Sequence, residues 1–524
     1  MKNFLTSACV KIGRFFWSWG FLKFILWTVT VIIFLYVEED WRGARAWAAT
    51  KAEWEAQGET FDINRLAPPP APDEQNLAAL PLFKMEPDPD LENKGNLAPL
   101  ALNRAFKVEI DQEMPHGENW QAEELPRGGN WQAGKLADHE KNRVIVATTY
   151  AKVFKSAHTT MDPLTQFEAL YAAIGDLRNA AAARPYCRFE QNYKFEPPYG
   201  LYLSLITAQI KLSKFLTADA VLGLDAKKPD VALADITTHF KLVSGVMDQP
   251  LLVSGLVAIG MTAIDFSAVY EGLTTHAWND AQLAELQDRL ASVDFLTDYQ
   301  HAMRGEACLT IAPFEQLKPN RGRLISELHP QAETNPPTPP ERQDYTPLFW
   351  PDGWIDLLKA RAANFGLTSV HFADEKKRVF SPAEVDRFTA EVEDTMERWG
   401  NPFSPWAILS GAAVGPVTQA ARKFALAQAW IDEARIACAL ERYRLAKGIY
   451  PGSLDALTPA YIDALPHDIM NGQPYHYRLR PDGTFLLYSV GWNQIDEGGK
   501  IVFKKDNPNA IDYTEGDWVW PTPR

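Results

Sequence analysis

The sequence predicts a mainly α chain. It has an N-terminal single transmembrane helix, an external helical-hairpin domain, and a C-terminal α+β domain in which a long helix packs on a small antiparallel sheet. Three observations lead there. Residues 15–37 are almost wholly apolar. Apolar residues recur at helical spacing, with short breaks, through most of 163–312 and 351–446. After Gly448 the spacing becomes that of strands.

The first element reads FFWSWGFLKFILWTVTVIIFLYV, residues 15–37, with one charge, Lys23, and no proline. At ~1.5 Å per residue it is about 35 Å long, enough for a hydrocarbon core of ~30 Å. Lys2, Lys11 and Arg14 precede it without an acid, and Glu38-Glu39-Asp40 follow at once. The positive-inside rule then keeps residues 1–14 in the cytoplasm and places the rest outside, as a single-pass protein of the inner (cytoplasmic) membrane. The apolar run is longer than a signal peptide needs and no A-x-A site follows, so it reads as an uncleaved signal anchor. Gly20-Phe21 does not open a prepilin leader, because Ile25 stands where such leaders place Glu.

Residues 38–140 read as a stalk helix followed by a Pro-rich, loop-rich segment that wraps the later parts. Trp47 and Trp54, seven apart, are expected to pack the stalk on the first domain; a homodimeric coiled coil is the alternative. Pro68-Pro69-Pro70-Ala71-Pro72 is an extended stretch. Asn119-Trp120-Gln121-Ala122 recurs as Asn130-Trp131-Gln132-Ala133, an echo of two short strands or turns.

Residues 141–317 form the helical-hairpin domain. Asp162-Pro163 supplies an N-cap and a proline at the first helical position, and Asn279 with Gln282 fits a capping box. Leu251 to Tyr270 is the most apolar external run, yet Asp265 and its Gly/Ser breaks make it a buried core helix rather than a second span. Residues 318–347 are a Pro-rich linker and 348–415 a helical connector, with Ser381-Pro382-Ala383-Glu384 as a helix start. In the last unit, 416–524, Phe424, Ile431, Cys438 and Leu445 form a stripe on one long helix. Two β-rich runs then flank Arg480-Pro481-Asp482-Gly483 as a hairpin. Trp518 and Trp520 alternate in the tail as a short edge strand.

The net charge is −15, and the basic residues up to Lys23 have no acid among them, so the exterior is more acidic still. Such a surface argues against nucleic acid and against anionic lipid. Cys187, Cys308 and Cys438 are external and widely spaced, which allows at most one internal bridge; Cys187–Cys308 is the pair to test. No P-loop, GxSxG, HExxH or GxGxxG occurs, so no catalytic residue is assigned and the chain leans away from enzymes. Ser254, His301 and Glu306 read as structural, with Arg304 as a partner for Glu306.

Residues 439–491 carry a specific combination of features. Leu440-Glu441-x-Tyr443-Arg444 ends a helix, followed by Gly448 and Tyr450-Pro451. Leu465-Pro466-x-Asp468, Asn471-Gly472-x-Pro474-x-x-Tyr477 and Leu487-Tyr488-Ser489-x-Gly491 come next. This stretch resembles the globular domain of type II secretion major pseudopilins. In that family the loop after Ser-x-Gly binds calcium. The resemblance therefore implies Asn493, Asp496, Glu497 and Asp512 as calcium ligands, with Asp517 able to join, although Trp492-Asn493 depart from the family's Asp-Gly pattern. The head lies far from the membrane span, so it does not polymerise by the family's helix bundling. The whole chain also resembles uncharacterised bacterial membrane-anchored proteins that share the anchor, Gly58-Glu59, Asp62 and Pro68 to Asn76, a resemblance that carries no activity. The expectation is an envelope interaction or scaffold protein with protein partners, linked to a secretion or pilus-like apparatus. The alternatives are an envelope hydrolase with a site built from dispersed helices, and a calcium-dependent or glycan-binding module.

Overall fold

The computed structural model describes residues 19–84, 86–87, 97–98, 130–139, 142, 174–189, 193, 204–318, 350–397, 408–505 and 511–521. Among them it is 65% helical and 8% strand, so the mainly α class holds. The first copy of the Asn-Trp-Gln-Ala echo, the Asp162-Pro163 cap and nearly all of the linker lie outside the described residues.

The chain divides into two compact units, Met1–Glu59 with Leu309–Phe365 and Thr60–Cys308 with Gly366–Arg524. This division crosses the boundaries read from sequence. The connector 348–415 falls in both units, and the helical-hairpin residues up to Cys308 share a unit with the C-terminal residues 416–524.

In the first unit, anchor and stalk are one helix, α1, Trp19–Ala56. Nothing between Val37 and Ala56 breaks it: there is no proline and one glycine, Gly43. Its apolar half is bare, with none of its most apolar window buried. Its second half packs against the helix Asp352–Val370. Gly43 and Gly353 meet backbone to backbone, and a Cβ on either would collide with the opposing chain. The Asp40 carboxylate accepts the Gly353 N–H at 2.8 Å, and Trp354 Nε1 donates to Glu39 at 2.9 Å. Both stalk tryptophans are packed, but against the connector helix rather than the first domain the sequence suggests. Lys359 Nζ sits 4.9 Å from the Trp47 ring centroid, and Trp54 Nε1 donates to Asn364 at 2.7 Å. Lys359 is itself buried, held by Asp356 at 2.7 Å and Glu315 at 2.8 Å.

The second unit is built on α2 (Ser204–Asp225), α3 (Pro229–Met247) and α4 (Leu252–Thr274), which pack on one another. The helix α4 is the apolar run 251–270, and 89% of its most apolar window is buried inside the unit. Next comes α5 (Asp280–Ala291), whose Asn279/Gln282 capping box is complete: each side chain accepts the other residue's N–H. After α6 (Phe295–Leu317), α7 (Asp352–Val370) and α8 (Pro382–Glu397), the 40-residue α9 (Ile408–Lys447) packs against α4, α5 and α8. Only half of the Ser381 cap forms, because the Glu384 side chain turns to Arg387.

Three of the four stripe positions on α9 are fully buried, and Leu445 is exposed. Burial runs around nearly the whole helix between Ala420 and Glu441, because helices and sheet surround it on several sides. Past the helix, β1 (His476–Leu479) pairs with β2 (Phe485–Ser489) around the Pro-Asp-Gly turn, and β5 (Trp518–Val519) adds to β2. A separate ribbon joins β3 (Ile501–Phe503) to β4 (Ile511–Gly516).

An aromatic cluster closes the core. Trp131, from a 3-10 turn over Asn130–Ala133, packs tilted or edge-on with its ring centroid 5.3–6.2 Å from those of Phe266, Trp430 and Trp520. Of the two forms the sequence allows for the echo, its second copy is thus a turn, with Trp131 buried as a plug. The wrapping segment is pinned as well: Asn76 exchanges hydrogen bonds with the Arg188 backbone, and Leu77 N–H reaches Tyr186. Cys187, Cys308 and Cys438 are buried and none is in a disulfide, so the Cys187–Cys308 bridge is not formed. Burial pushes the Cys438 thiol up to about 12, as befits a small core residue.

Candidate functional site

The motif residues of the C-terminal part are bonded to one another. Arg444 makes a two-pronged pair with the Glu441 carboxylate at 2.7 and 2.8 Å, one helical turn away on α9. Tyr450, from the turn that ends α9, donates its hydroxyl to Glu441 at 3.0 Å. Tyr477 OH donates to the Pro451 carbonyl at 2.7 Å. Asp468 accepts Ser489 Oγ at 2.8 Å and the N–H groups of Met470 and Val490. The motif pieces thus supply local struts, one set around Glu441, one around Asp468, and the Tyr477–Pro451 bond between turn and strand.

Glu441 has a third partner that the sequence did not reveal. His276 Nδ1 lies 2.9 Å from its Oε1. His276 closes α4 in a Schellman turn: Ala277 N–H reaches Gly272 O and His276 N–H reaches Leu273 O. Its φ is +54°, a left-handed position where glycine is usual. A histidine there gives up backbone ease, and the bond to Glu441 offsets the strain. The only sequence-level sign is a non-glycine residue after the helix end, since its partner lies 165 residues away.

These groups line an open cavity of about 260 Å³. Its base is Glu441, Arg444 and Tyr450. One wall is Thr274 and His276, another the hairpin turn Asp482 to Phe485, and the last Trp520 and Pro521. The Glu441 side chain is 3% exposed, whereas that of His276 is 47% exposed and faces solvent as well as the acid. Hydrogen bonding to Glu441 raises the Arg444 guanidinium against the smaller opposing effect of burial. Burial and the Glu441 charge raise the Tyr450 phenol, so it stays protonated as a donor. The pocket thus presents an aromatic wall beside a fixed ion pair and a half-exposed imidazole.

The tail tryptophans form part of the interior. Trp518 and Trp520 are 3% and 4% exposed, so neither is a surface platform; Trp520 shows only an edge to the cavity.

The residues implied as calcium ligands are arranged as follows. Asn493, Asp496 and Glu497 share the turn after β2, and Asp512 lies on β4. Asn493 Nδ2 donates to Glu497 at 2.9 Å. Asp496 accepts Tyr488 OH and Gly498 N–H, both at 2.9 Å, and His476 Nδ1 is 3.4 Å away. Asp512 accepts the N–H and hydroxyl of Thr514. Asp517 receives the N–H groups of Glu497, Gly499 and Lys500. The loop turns amide protons inward onto a carboxylate, which is the polarity of an anion nest. Among the described residues no group of three or more His, Cys, Asp or Glu is placed to hold a metal ion.

A second polar cluster joins Arg178 to acids and a histidine of α2–α4. Arg178 bonds Asp219 and, at 2.6 and 2.9 Å, Asp235. His239 and Asp265 are fully buried, 3.5 Å apart. Burial holds the imidazole down to about 3 and lifts the Asp265 carboxyl well above its usual range, so the two are neutral neighbours rather than an ion pair. Nearby, Ser254 donates to Gln249 rather than to its own helix, and burial raises Glu306, which the Leu252 backbone hydrogen-bonds. Asp235, His239 and Asp265 are fully buried and serve the packing, while Arg178 and Asp219 keep a partly exposed edge.

Comparison with family models, with curated proteins and with solved structures finds no match to this chain.

Proposed function

We propose that the chain is a single-pass membrane-anchored interaction protein. Residues 15–37 cross the inner membrane with the N-terminus in the cytoplasm, and the Glu441 cavity receives part of a protein partner outside. The observation that carries the reading is α1 itself: one unbroken helix, bare over its apolar half and packed over its polar half. A cleavable leader would not be built into a folded unit at Glu39, Asp40 and Gly43. The basic and acidic flanks support the orientation. The fixed ion pair and aromatic wall suit recognition, since both Glu441 oxygens are already committed to donors. The pseudopilin-like motif network is the ground for linking the partner to a secretion or pilus-like apparatus.

The test uses the full chain in cells, with a photo-crosslinking residue at Thr484 on the cavity rim and, as a control, at Lys51 on the stalk. The expected result is a chain that resists alkaline extraction, is cut by protease added to spheroplasts, and gives one discrete adduct from position 484 alone. Release by alkali, or protection from that protease, contradicts the anchor. Equal adducts at both positions contradict the cavity as the recognition point.

A further inference from the structure

The hydrogen bonds of α1 fix where the Asp352–Val370 helix must sit once the anchor is in a membrane. Val37 is the last apolar residue of the span, and Asp40 is three residues beyond it, a rise of about 4.5 Å. The polar layer outside the hydrocarbon is roughly 5–7 Å thick on each side. Asp40 therefore lies within that layer. So does everything bonded to it: Gly353 through its N–H, and Trp354 through Glu39.

The side chains at this level have the chemistry of a membrane interface. Trp41 is 61% exposed, with Arg45 stacked 5.3 Å over its ring. Trp350 and Trp354 lie beside each other, ring centroids 6.2 Å apart, and both are partly exposed. Indoles favour the headgroup level, where one edge is apolar and the ring N–H is wet. The charges are Glu38, Glu39, Asp40 and Asp352 against Arg42 and Arg45. Acids outnumber bases, so the surface fits zwitterionic headgroups and offers no polybasic attraction to anionic lipid.

We propose that the first turn of the Asp352–Val370 helix, with Trp41, Trp350 and Trp354, is a lipid-headgroup contact surface that seats the first unit on the membrane. The Gly43–Gly353 contact is what lets the two helices come close enough for this. The inference rests on α1 crossing the membrane, and the experiment separates the two.

The full chain, carrying Cys9→Ser, is placed in phosphatidylcholine vesicles; the other native cysteines are buried. An environment-sensitive fluorophore is attached in turn to Ile25→Cys, Trp41→Cys, Asp352→Cys and Glu53→Cys. Lipids bearing a nitroxide at the headgroup or in mid-chain serve as quenchers. The labels at 41 and 352 are expected to be quenched about twofold more by the headgroup nitroxide than by the mid-chain one. The label at 25 should show the reverse, and the label at 53, about 24 Å past Val37, neither. If 25 is quenched in mid-chain while 352 behaves like 53, the seating is wrong and the anchor stands. If 25 is not quenched, the anchor itself fails, and the seating with it.

Discussion

Asp432 shows what burial does to one carboxyl group. It is surrounded by Gln428 at 3.1 Å, Arg435 at 3.4 Å and Tyr475 at 3.5 Å, yet burial outweighs them and lifts it to about 7. In the unfolded chain the same group titrates near its ordinary value, close to 4. Between these values the folded state holds the proton and the unfolded state has lost it, so stability falls as pH rises through about 4 to 7. Asp432→Asn removes that titration. The variant's free energy of unfolding should gain on the wild type's as pH goes from 4.5 to 7.5, by up to a few kcal/mol, read by urea denaturation at each pH. A gap that stays constant with pH would mean that Asp432 is charged in the fold. The sequence places Gln428 and Arg435 beside this acid on its own helix, but not the burial, nor Tyr475, which arrives from 43 residues on. The calcium ligands implied by resemblance have the same limit. The acidic loop is evident from residues 493–497, but the direction of its amides onto Asp517 is a property of the folded turn.

At the scale of elements, local signals were read well where the chain meets itself within a few residues. The Asn279 capping box, the Pro-Asp-Gly hairpin and the burial of the apolar helix all follow from short-range spacing. The all-round burial of α9 does not, since a helix surrounded on several sides needs neighbours the heptad stripe cannot announce. Gly255 of α4 is one such meeting point. A Cβ there would strike the Phe424 ring, which is fully buried and packed edge-on against Phe295 and Tyr299 at 6.2 and 5.4 Å. Gly255→Val should therefore cost about 2 kcal/mol or more, since overpacking a filled core typically costs 1–3 kcal/mol. Phe424→Leu in the same chain should return part of the loss. Urea denaturation of the two single variants and the double variant measures both. Additive losses would show that the two residues do not share the space.

At the scale of the molecule, the decisive feature is the aromatic cluster of Trp131, Phe266, Trp430 and Trp520. It draws on a loop, two helices and the tail, and it makes the hairpin helices and the C-terminal sheet one unit where the sequence suggested two. One expectation follows for a soluble fragment from Trp41 to Arg524. Residues 60–308 and 366–524 should melt in a single transition, and excess calcium should leave that transition where EDTA leaves it, because the Asp496 and Asp517 carboxylates already accept donors of their own chain. A calcium-specific rise that disappears in Asp496→Ala would instead establish the loop as a metal site. For scale, a ligand at ~100 times its Kd adds about 2.7 kcal/mol.

From residue types alone came the N-terminal apolar helix, its flanking charges, the Asn279 capping box, the hairpin and the mainly α class. Each depends on residue types a few positions apart, where backbone geometry fixes which side chains meet. Tertiary structure alone decided that His276 meets Glu441, that Trp131 plugs the core, that Asp40 caps a helix more than 300 residues later, and that the loop at 493–500 faces a carboxylate. Those pairings join residues separated by up to hundreds of positions, and local spacing carries no record of which distant side chain will occupy the facing place.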